Sequence, residues 1–263
     1  YNEQMGKRVY SQPKKGFGLV ESLVGVAVFL VISLSVYQVF IRLFEGANFS
    51  ETKISAAALA NEQFEIMRNL PYSDVGLISG IPSGKIPGIQ NLTRAGKSFL
   101  VETTIRNIDD PFDGTLGGSP NDLSPADYKF VQVDITCPPC KSFTPISFTS
   151  SIAPKNLETA STNGALFVRV FDANGIPLSG ANVHIENNFA VPAINIDDTT
   201  NNNGMLQIVD APPGVNAYEI TVTKSGYTSD RTYLPGNPSN PNPLKPHATV
   251  AIQQVTQLSF SID

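Results

Sequence analysis

The sequence is poor in the side chains that carry enzyme chemistry. It contains no tryptophan, two histidines and two cysteines. Histidine is the one side chain that ordinarily titrates near neutral pH, so little acid–base chemistry is available. The sequence also has no GxSxG, HExxH or phosphate-binding loop motif. We therefore expect that the chain is not an enzyme and that it carries no cofactor.

Charge is also scarce. Charged residues make up 16% of the 263 residues, against about a quarter in ordinary soluble proteins, and the net charge is −5. A nucleic-acid surface needs the opposite balance, so we expect no nucleic-acid partner. The low charge indicates either a membrane segment or a β-rich extracytoplasmic module. Twenty glycines and twenty prolines favour many turns and short strands.

The longest uncharged stretch lies near the N-terminus. The twenty residues from Ser22 to Ile41 carry no charge, and as a helix they would span about 30 Å of hydrocarbon. Residues 1–16 carry four basic side chains and one acidic side chain, which places the N-terminus in the cytoplasm. We expect residues 17–41 to cross the membrane. The chain begins with Tyr1, and Met5 is a candidate for the true start.

Three interpretations of this segment compete. A cleaved secretory signal has a shorter apolar region, of about 7 to 15 residues, followed by a small-residue cleavage site. The segment has neither feature. A plain anchor explains the length but leaves Glu21 unexplained, because a lone carboxylate in a spanning helix is costly. The third interpretation is a processed leader of a filament subunit.

The sequence KKGFGLVESLVGVAVFL, which starts at Lys14, resembles the class III signal of type IV pilins. In that family, prepilin peptidase cleaves after the glycine that ends a basic leader, the new N-terminus is N-methylated, and a glutamate stands at the fifth mature position. The resemblance implies cleavage between Gly16 and Phe17. It also gives Glu21 a role in assembly, since a buried α-amino group needs a carboxylate partner. The implied partners are other pilin subunits, prepilin peptidase, an inner-membrane assembly platform and, before assembly, membrane lipid.

A single long helix is predicted over residues 17–70, because no proline interrupts that stretch before Pro71. In its second half, apolar residues at steps of three and four define one face. These residues are Ile54, Ala57, Ala60, Phe64, Met67 and Leu70. The sequence NEQFEIMRNLPYSDVG resembles minor pilins of the PilV type and type II secretion pseudopilins of the I class. Gln38 stands where many major pilins carry a proline, which leaves open whether the helix melts in a filament.

Residues 71–152 are expected to form the pilin β-subdomain, with strands at 98–108, 128–136 and 142–152. The intervening loop is long and acidic. Its aspartates are weak candidates for calcium ligands, although their spacing matches no EF-hand and solvated acidic turns are the alternative. The candidates are Asp109, Asp110, Asp113 and Asp122.

Cys137 and Cys140 enclose two prolines between two predicted strands. Extracytoplasmic placement favours a disulfide that braces the hairpin. A redox CxxC motif normally opens a helix, which this sequence does not resemble. A zinc site would need two further ligands. Free thiols are the remaining alternative.

A second β pattern follows a linker at 153–163. Residues 164–263 show short strands separated by Gly, Pro and Asn turns, which predicts a β-sandwich. They resemble the carboxypeptidase regulatory-like domain, a transthyretin-like sandwich that serves as a non-catalytic module. The elements that carry this resemblance are Asp172 and Gly175, Pro177, Gly180 and Ala181, Asn203 and Gly204, Tyr218, and Gly226 and Tyr227.

The expected fold class is α+β: a long N-terminal transmembrane helix on a small antiparallel sheet, followed by an all-β sandwich. We predict a minor subunit of a type IV pilus or related filament, with an extracytoplasmic or cell-surface location after assembly. The alternatives are a displayed adhesin or ligand-binding module and a type II secretion pseudopilin. A DNA-uptake role is disfavoured, because residues 164–263 hold four basic and eight acidic side chains, a net of −4.

Overall fold

The computed structural model describes residues 16, 18–140, 143–154 and 160–263. The basic leader up to residue 15, Phe17 and the middle of the expected linker lie outside the described residues. The chain divides into two compact units, the first ending at Glu51 and the second running from Thr52 to Asp263.

One helix, α1 (Leu19–Asn69), contains no proline and begins and ends within two residues of the predicted bounds. Within the first unit it is exposed at every residue except the partly buried Ser33. Leu70 and Pro71 then break the pattern, and a short 3-10 helix (Tyr72–Asp74) follows. A proline cannot continue an α-helix, because it lacks the N–H group and its ring clashes with the preceding turn.

From Thr52 onward, α1 buries one face against an antiparallel sheet. The four strands β1 (Ile89–Arg94), β2 (Lys97–Ile108), β3 (Tyr128–Thr136) and β4 (Ile146–Ile152) lie in sequence order. The buried helix residues include Leu59, Phe64 and Met67, which share a core with the inward-facing residues of β2 and β3.

The predicted helix face was wrong at one end. Ile54 is 70% exposed, whereas Ser55, Ala56 and Leu59 are buried. The true face runs through the small residues at 55, 56 and 60, because these let the helix approach the sheet closely. The prediction gave the large apolar residue Ile54 too much weight.

Strand β1 was not predicted. It pairs with β2 through a two-residue turn in which Ala95 and Gly96 both have positive φ, of 50° and 71°. This is the backbone conformation of a type I′ hairpin turn, whose right-handed twist matches that of the strands. The turn lacks the usual Asn-Gly signal, although its glycine occupies the expected place.

The C-terminal strands form two sheets. Strands β6 (Asn182–Asn187), β7 (Ile194–Thr199), β9 (Gly214–Thr223), β10 (Asp230–Arg231) and β11 (Ala248–Val250) make one sheet, in which β10 and β11 both pair with β9. Strands β5 (Gly164–Phe171), β8 (Met205–Ala211) and β12 (Val255–Ser261) make the other. Here β12 pairs with β5 in parallel and β8 pairs with it antiparallel. Buried residues of both sheets form one core, as in a sandwich.

The turn before β8 shows why a glycine is required there. Gly204 has φ of +67°, and a Cβ atom on it would lie 2.7 Å from the carbonyl oxygen of Val170. An L side chain would therefore meet both backbone strain and a steric clash.

The first sheet and the C-terminal strands meet along a set of contacts that we call the seam. Ile81, which precedes β1, is 6% exposed and belongs to the core of the C-terminal strands. The backbone N–H of Asn195 donates to the carbonyl oxygen of Ser79 over 2.7 Å. Arg106 on β2 forms a two-pronged ion pair with Asp198 on β7, whose side chain is only 7% exposed. The seam therefore joins the two β regions through both packing and charge.

We expect Ile81→Ala to lower the free energy of unfolding by about 2–5 kcal/mol, because it leaves a cavity in a core that the wild-type side chain fills. Thermal unfolding of the full chain in detergent measures this loss. Ile78→Ala is the matched control, since Ile78 is 57% exposed and its truncation should change stability by less than about 0.5 kcal/mol. Equal effects of the two substitutions would show that Ile81 does not anchor the seam.

Candidate functional site

From Leu19 to Ile41, α1 presents an almost wholly apolar surface on all sides. Most of its large side chains, among them Leu23, Phe29 and Leu34, are more than half exposed. By length and composition alone, α1 is the one described helix that is suited to cross a membrane. A helix that is apolar all round is stable only when lipid or protein covers it.

Two serine hydroxyls within the first unit are satisfied inside the helix itself. The hydroxyl of Ser35 donates to the carbonyl oxygen of Val31 over 2.8 Å, and the hydroxyl of Ser50 donates to that of Gly46 over 2.9 Å. Such bonds to the preceding turn hide a serine hydroxyl from an apolar environment. Gln38, at the position where many major pilins carry proline, lies within continuous helix.

Glu21 is the one charged side chain of α1 before Arg42. It lies in the first helical turn, where the N–H of Ser22 donates to the carbonyl oxygen of Gly18 over 3.1 Å. The helix dipole favours a carboxylate at this end. Gly16 is exposed, and Phe17 lies outside the described residues. The proposed pairing of Glu21 with a terminal amine, and the cleavage site itself, thus remain predictions.

Cys137 and Cys140 form a disulfide in the turn after β3, with their Cα atoms 5.2 Å apart. Cys137 belongs to the core shared by α1 and the first sheet. The enclosed loop of four residues is short, so the chain-entropy relation gives a stabilisation of about 2 kcal/mol. The disulfide therefore braces the β3–β4 connection, as the sequence predicted.

The acidic loop between β2 and β3 brings carboxylates together. Asp109, Asp122 and Asp127 each accept one backbone N–H bond with one oxygen. The other oxygen of each is buried and has no hydrogen-bond partner among the described residues. Burial raises the pKa of Asp109 and of Asp127, and repulsion from neighbouring carboxylates adds to this effect.

This loop does not assemble a recognisable metal centre. Within the described residues, no group of three or more His, Cys, Asp or Glu side chains is arranged to hold a metal ion. Asp110, a calcium candidate from the sequence, accepts the backbone N–H of Phe112 over 3.1 Å as part of a turn, and Asp113 is exposed. Calcium binding by Asp109, Asp110, Asp113 and Asp122 stays a prediction.

The two histidines make contacts of ion-pair type. The ring of His184 lies between Asp197, at 2.8 Å from Nδ1, and Glu186, at 3.0 Å from Nε2. Burial alone would lower the pKa of His184, but the two carboxylates outweigh it and the pKa is raised. His247 lies 3.9 Å from Glu219, and its burial lowers its pKa.

Several polar side chains of the seam were not predicted from the sequence. Arg106 and Asp198 are 92 positions apart, so no local pattern joins them. Asn107 and Lys129 did leave a signal, because each occupies an inward position of a strand whose other inward positions are mostly apolar. A polar residue at such a position indicates a buried contact that needs a partner.

Comparison with known proteins adds little to these observations. No protein-family model matches the sequence, and no curated protein matches it. Among solved structures, BcpA, the major pilin subunit of Bacillus cereus, is 16% identical over 52% of this chain and 38% of its own, with a TM-score of 0.24. The full-length major pilin SpaD from Corynebacterium diphtheriae is 12% identical over 51% of this chain and 37% of its own, with a TM-score of 0.20.

Hydroxyquinol 1,2-dioxygenase from Pseudomonas putida DLL-E4 also matches. It is 12% identical over 40% of this chain and 58% of its own, with a TM-score of 0.25. This chain thus spans less than two fifths of the length of the two pilins and 58% of that of the dioxygenase. All three scores are low, so none of these similarities supports an argument about function.

We expect Asp109→Asn to raise the free energy of unfolding at pH 7 by at most about 1 kcal/mol, because it removes a half-buried charge whose repulsion solvent partly screens. The pKa of Asp109 is raised in the folded state. The wild-type carboxyl group therefore contributes stability below its unfolded pKa, near 4, and loses it as the pH rises through its folded pKa. The advantage of the variant should consequently disappear near pH 4 and grow toward neutral pH.

Thermal unfolding of the full chain in detergent between pH 3.5 and 8, in EDTA, measures this difference. The exposed Asp113→Asn is the control and should change stability by less than about 0.5 kcal/mol. A repeat in millimolar calcium separates the two interpretations of the loop. If calcium stabilises the wild type and Asp109→Asn abolishes that gain, the loop is a cation site. If Asp109→Asn brings no gain in EDTA at pH 7, the repulsion argument is wrong.

Proposed function

We propose that the protein is a minor subunit of a type IV pilus or related filament. In this proposal, prepilin peptidase removes the leader between Gly16 and Phe17, and the mature chain assembles through α1. The observation that carries the proposal is the exposed, apolar stretch of α1 from Leu19 to Ile41, in which Glu21 in the first turn is the one charge. Such a surface needs lipid before assembly and other subunits afterwards.

The energetics favour a paired role for Glu21. A carboxylate at a membrane-embedded position costs several kcal/mol unless a partner neutralises it. In a filament, the α-amino group of a processed chain is positively charged and also needs a partner. Pairing the Phe17 amine of one subunit with Glu21 of a neighbour would satisfy both charges and set the stagger between subunits. Helix contacts would then replace lipid contacts along the rest of α1.

The β regions suit an extracytoplasmic location. The disulfide between Cys137 and Cys140 requires an oxidising environment. The C-terminal strands resemble, in sequence, a transthyretin-like add-on module. A second module of this size crowds a continuous shaft, which favours a low copy number or a tip position.

A second candidate function is display of a ligand-binding module on a membrane or filament stem. The observation that favours it is a set of strongly exposed apolar side chains in the C-terminal region, two on loops and one at the start of β9. Val191, Val215 and Leu244 are 98%, 79% and 103% exposed. Exposed apolar side chains mark a contact surface where they form a continuous patch. A type II secretion pseudopilin remains the third alternative.

Leader cleavage is the first test. The full chain, co-expressed with a prepilin peptidase, should yield a mature protein whose mass corresponds to a start at methylated Phe17. Gly16→Leu should abolish cleavage, because the family leader ends in glycine, whereas Gly6→Leu in the same leader should leave it unchanged. Intact-mass spectrometry distinguishes cleaved from uncleaved chains in the wild type and in both variants. An uncut wild-type leader, under conditions in which a control prepilin is cut, would make the display function the leading one.

Assembly through Glu21 is the second test. Glu21→Ala subunits should insert into the membrane normally but enter filaments at least about tenfold less often, the ratio expected for loss of one charge-assisted contact. Gold labelling of sheared filaments measures incorporation and position together. Glu45→Ala is the control, since Glu45 pairs with Arg42 on the exposed surface of the same helix. Equal incorporation of the Glu21 and Glu45 variants would refute the pairing, and uniform labelling along shafts would refute the minor position.

A further inference from the structure

Two buried polar side chains face each other at one end of the first sheet. Asn107 on β2 and Lys129 on β3 are directly opposite in the antiparallel register. They are 4% and 5% exposed, respectively. Polar groups in such positions are retained where they have partners, and the partners of these two residues define a site.

Carbonyl oxygens of the protein accept from two of the three N–H groups of the Lys129 ammonium. Its Nζ donates to the carbonyl oxygens of Tyr72 and Val75, each over 2.6 Å. An ammonium group has three N–H donors, so these two carbonyls leave one N–H. The face of the Tyr72 ring, whose centre lies 4.3 Å from Nζ, attracts that N–H more weakly than a carboxylate would. Burial lowers the pKa of Lys129 to about 8, against the opposing attraction of Asp210 and Asp74. The amine is therefore mostly protonated at neutral pH.

Asn107 carries an acceptor that is not used. Its amide nitrogen donates to the carbonyl oxygen of Val209 over 3.3 Å. Its carbonyl oxygen is buried and has no hydrogen-bond partner among the described residues. A buried oxygen of this kind requires a donor that enters from the adjoining space.

Both side chains line a cavity of about 390 Å³ at the seam. Asp210, the carboxylate coupled to Lys129, lines the same cavity, and the hydroxyl of Ser161 donates to one of its oxygens. The remaining wall is largely apolar. It includes Ile81, Pro82, Ile194 and Pro212, together with the exposed Val191 and Pro192 and the polar residues Tyr72, Ser73, Ser83 and Asn163. The cavity thus combines a cation, an anion and an unused acceptor with an aliphatic surface.

We propose that this cavity binds a small zwitterion, namely a free α-amino acid with an aliphatic side chain. Its carboxylate accepts from Lys129, its ammonium group donates to Asp210 and to the carbonyl oxygen of Asn107, and its side chain packs against Ile81 and Ile194. The volume lies within the range of small-molecule sites. This binding is independent of assembly through α1.

Other ligand classes match the lining less well. Phosphate or another multivalent anion would meet repulsion from Asp210. A divalent cation would meet Lys129. A purely apolar molecule would leave the buried oxygen of Asn107 without a donor, at the cost of a lost hydrogen bond. An amino-acid zwitterion supplies a carboxylate for Lys129 and an ammonium group for both Asp210 and the carbonyl oxygen of Asn107.

L-leucine is the probe for the test, titrated calorimetrically into the full chain in detergent at pH 7. We expect a Kd of about 1 mM or tighter, as suits a ligand of nine non-hydrogen atoms. Leucinamide lacks the carboxylate and 4-methylpentanoate lacks the amine. Each should bind at least about tenfold more weakly, because each loses a charge-assisted hydrogen bond.

Asp210→Asn supplies a variant that should fold. Asp210 has a positive φ of 64°, and asparagine tolerates that conformation well. The variant should lose at least about tenfold in affinity for leucine but none for 4-methylpentanoate. Lys129→Met should bind neither leucine nor 4-methylpentanoate. Circular dichroism checks that this variant folds. Asp113→Asn in the acidic loop is the control and should bind as the wild type does.

Absence of leucine binding up to 10 mM would overturn the proposal. So would equal affinities for leucine and its two analogues, or a leucine affinity that Asp210→Asn leaves unchanged. These outcomes do not bear on leader cleavage or filament entry, which are measured separately.

Discussion

The exposed apolar surface of the first unit of α1 is the constraint on which the rest of the chain depends. Its backbone hydrogen bonds run within the helix, and the hydroxyls of Ser35 and Ser50 bond to the preceding turn. These groups can therefore lie in hydrocarbon without being orphaned. Glu21 is the exception, because its charge has to find a partner outside its own turn. A helix of this kind is stable only where lipid or protein covers it, which fits membrane anchoring.

A second constraint acts at the seam. Asp198 is nearly buried, so its charge has to be balanced, and Arg106 balances it with two parallel bonds. A buried ion pair adds little net stability, because desolvation offsets most of its attraction, but loss of one partner is costly. Ile81 adds apolar burial to the same contact. The pair thus selects one arrangement of the first sheet and the C-terminal strands, while apolar packing supplies most of the stability.

The sequence predicted the elements whose patterns are local. The helix was located within two residues at each end because proline and apolar composition mark it plainly, and strands β2 and β3 were found by their alternation. Strand β1 was missed because its turn, Ala95-Gly96, departs from the usual hairpin signal. Ile54 was placed on the wrong face because the prediction followed the spacing of apolar residues alone and so passed over the buried Ser55.

The residues of the candidate site also divide into those with a local sequence signal and those that depend on the tertiary fold. The disulfide followed from its two nearby cysteines, whereas the Arg106–Asp198 pair joins residues 92 positions apart and depends on the tertiary fold. Asn107 and Lys129 are intermediate cases. Their inward positions on β2 and β3 follow from alternation, but their partners become clear only when the segment from Tyr72 to Ile81 and the C-terminal strands are in place.

The position of β5 has a mechanical consequence. It is the strand by which the chain enters the C-terminal sheets, and it lies between β12 and β8, with ladders along both of its edges. Tension applied to the chain at Gly164 would pull β5 along its own axis. The hydrogen bonds of both ladders would then be sheared together instead of being opened one after another. Strands loaded in shear resist force better than strands that unzip, so the sandwich is joined to the rest of the chain in the orientation that best withstands traction.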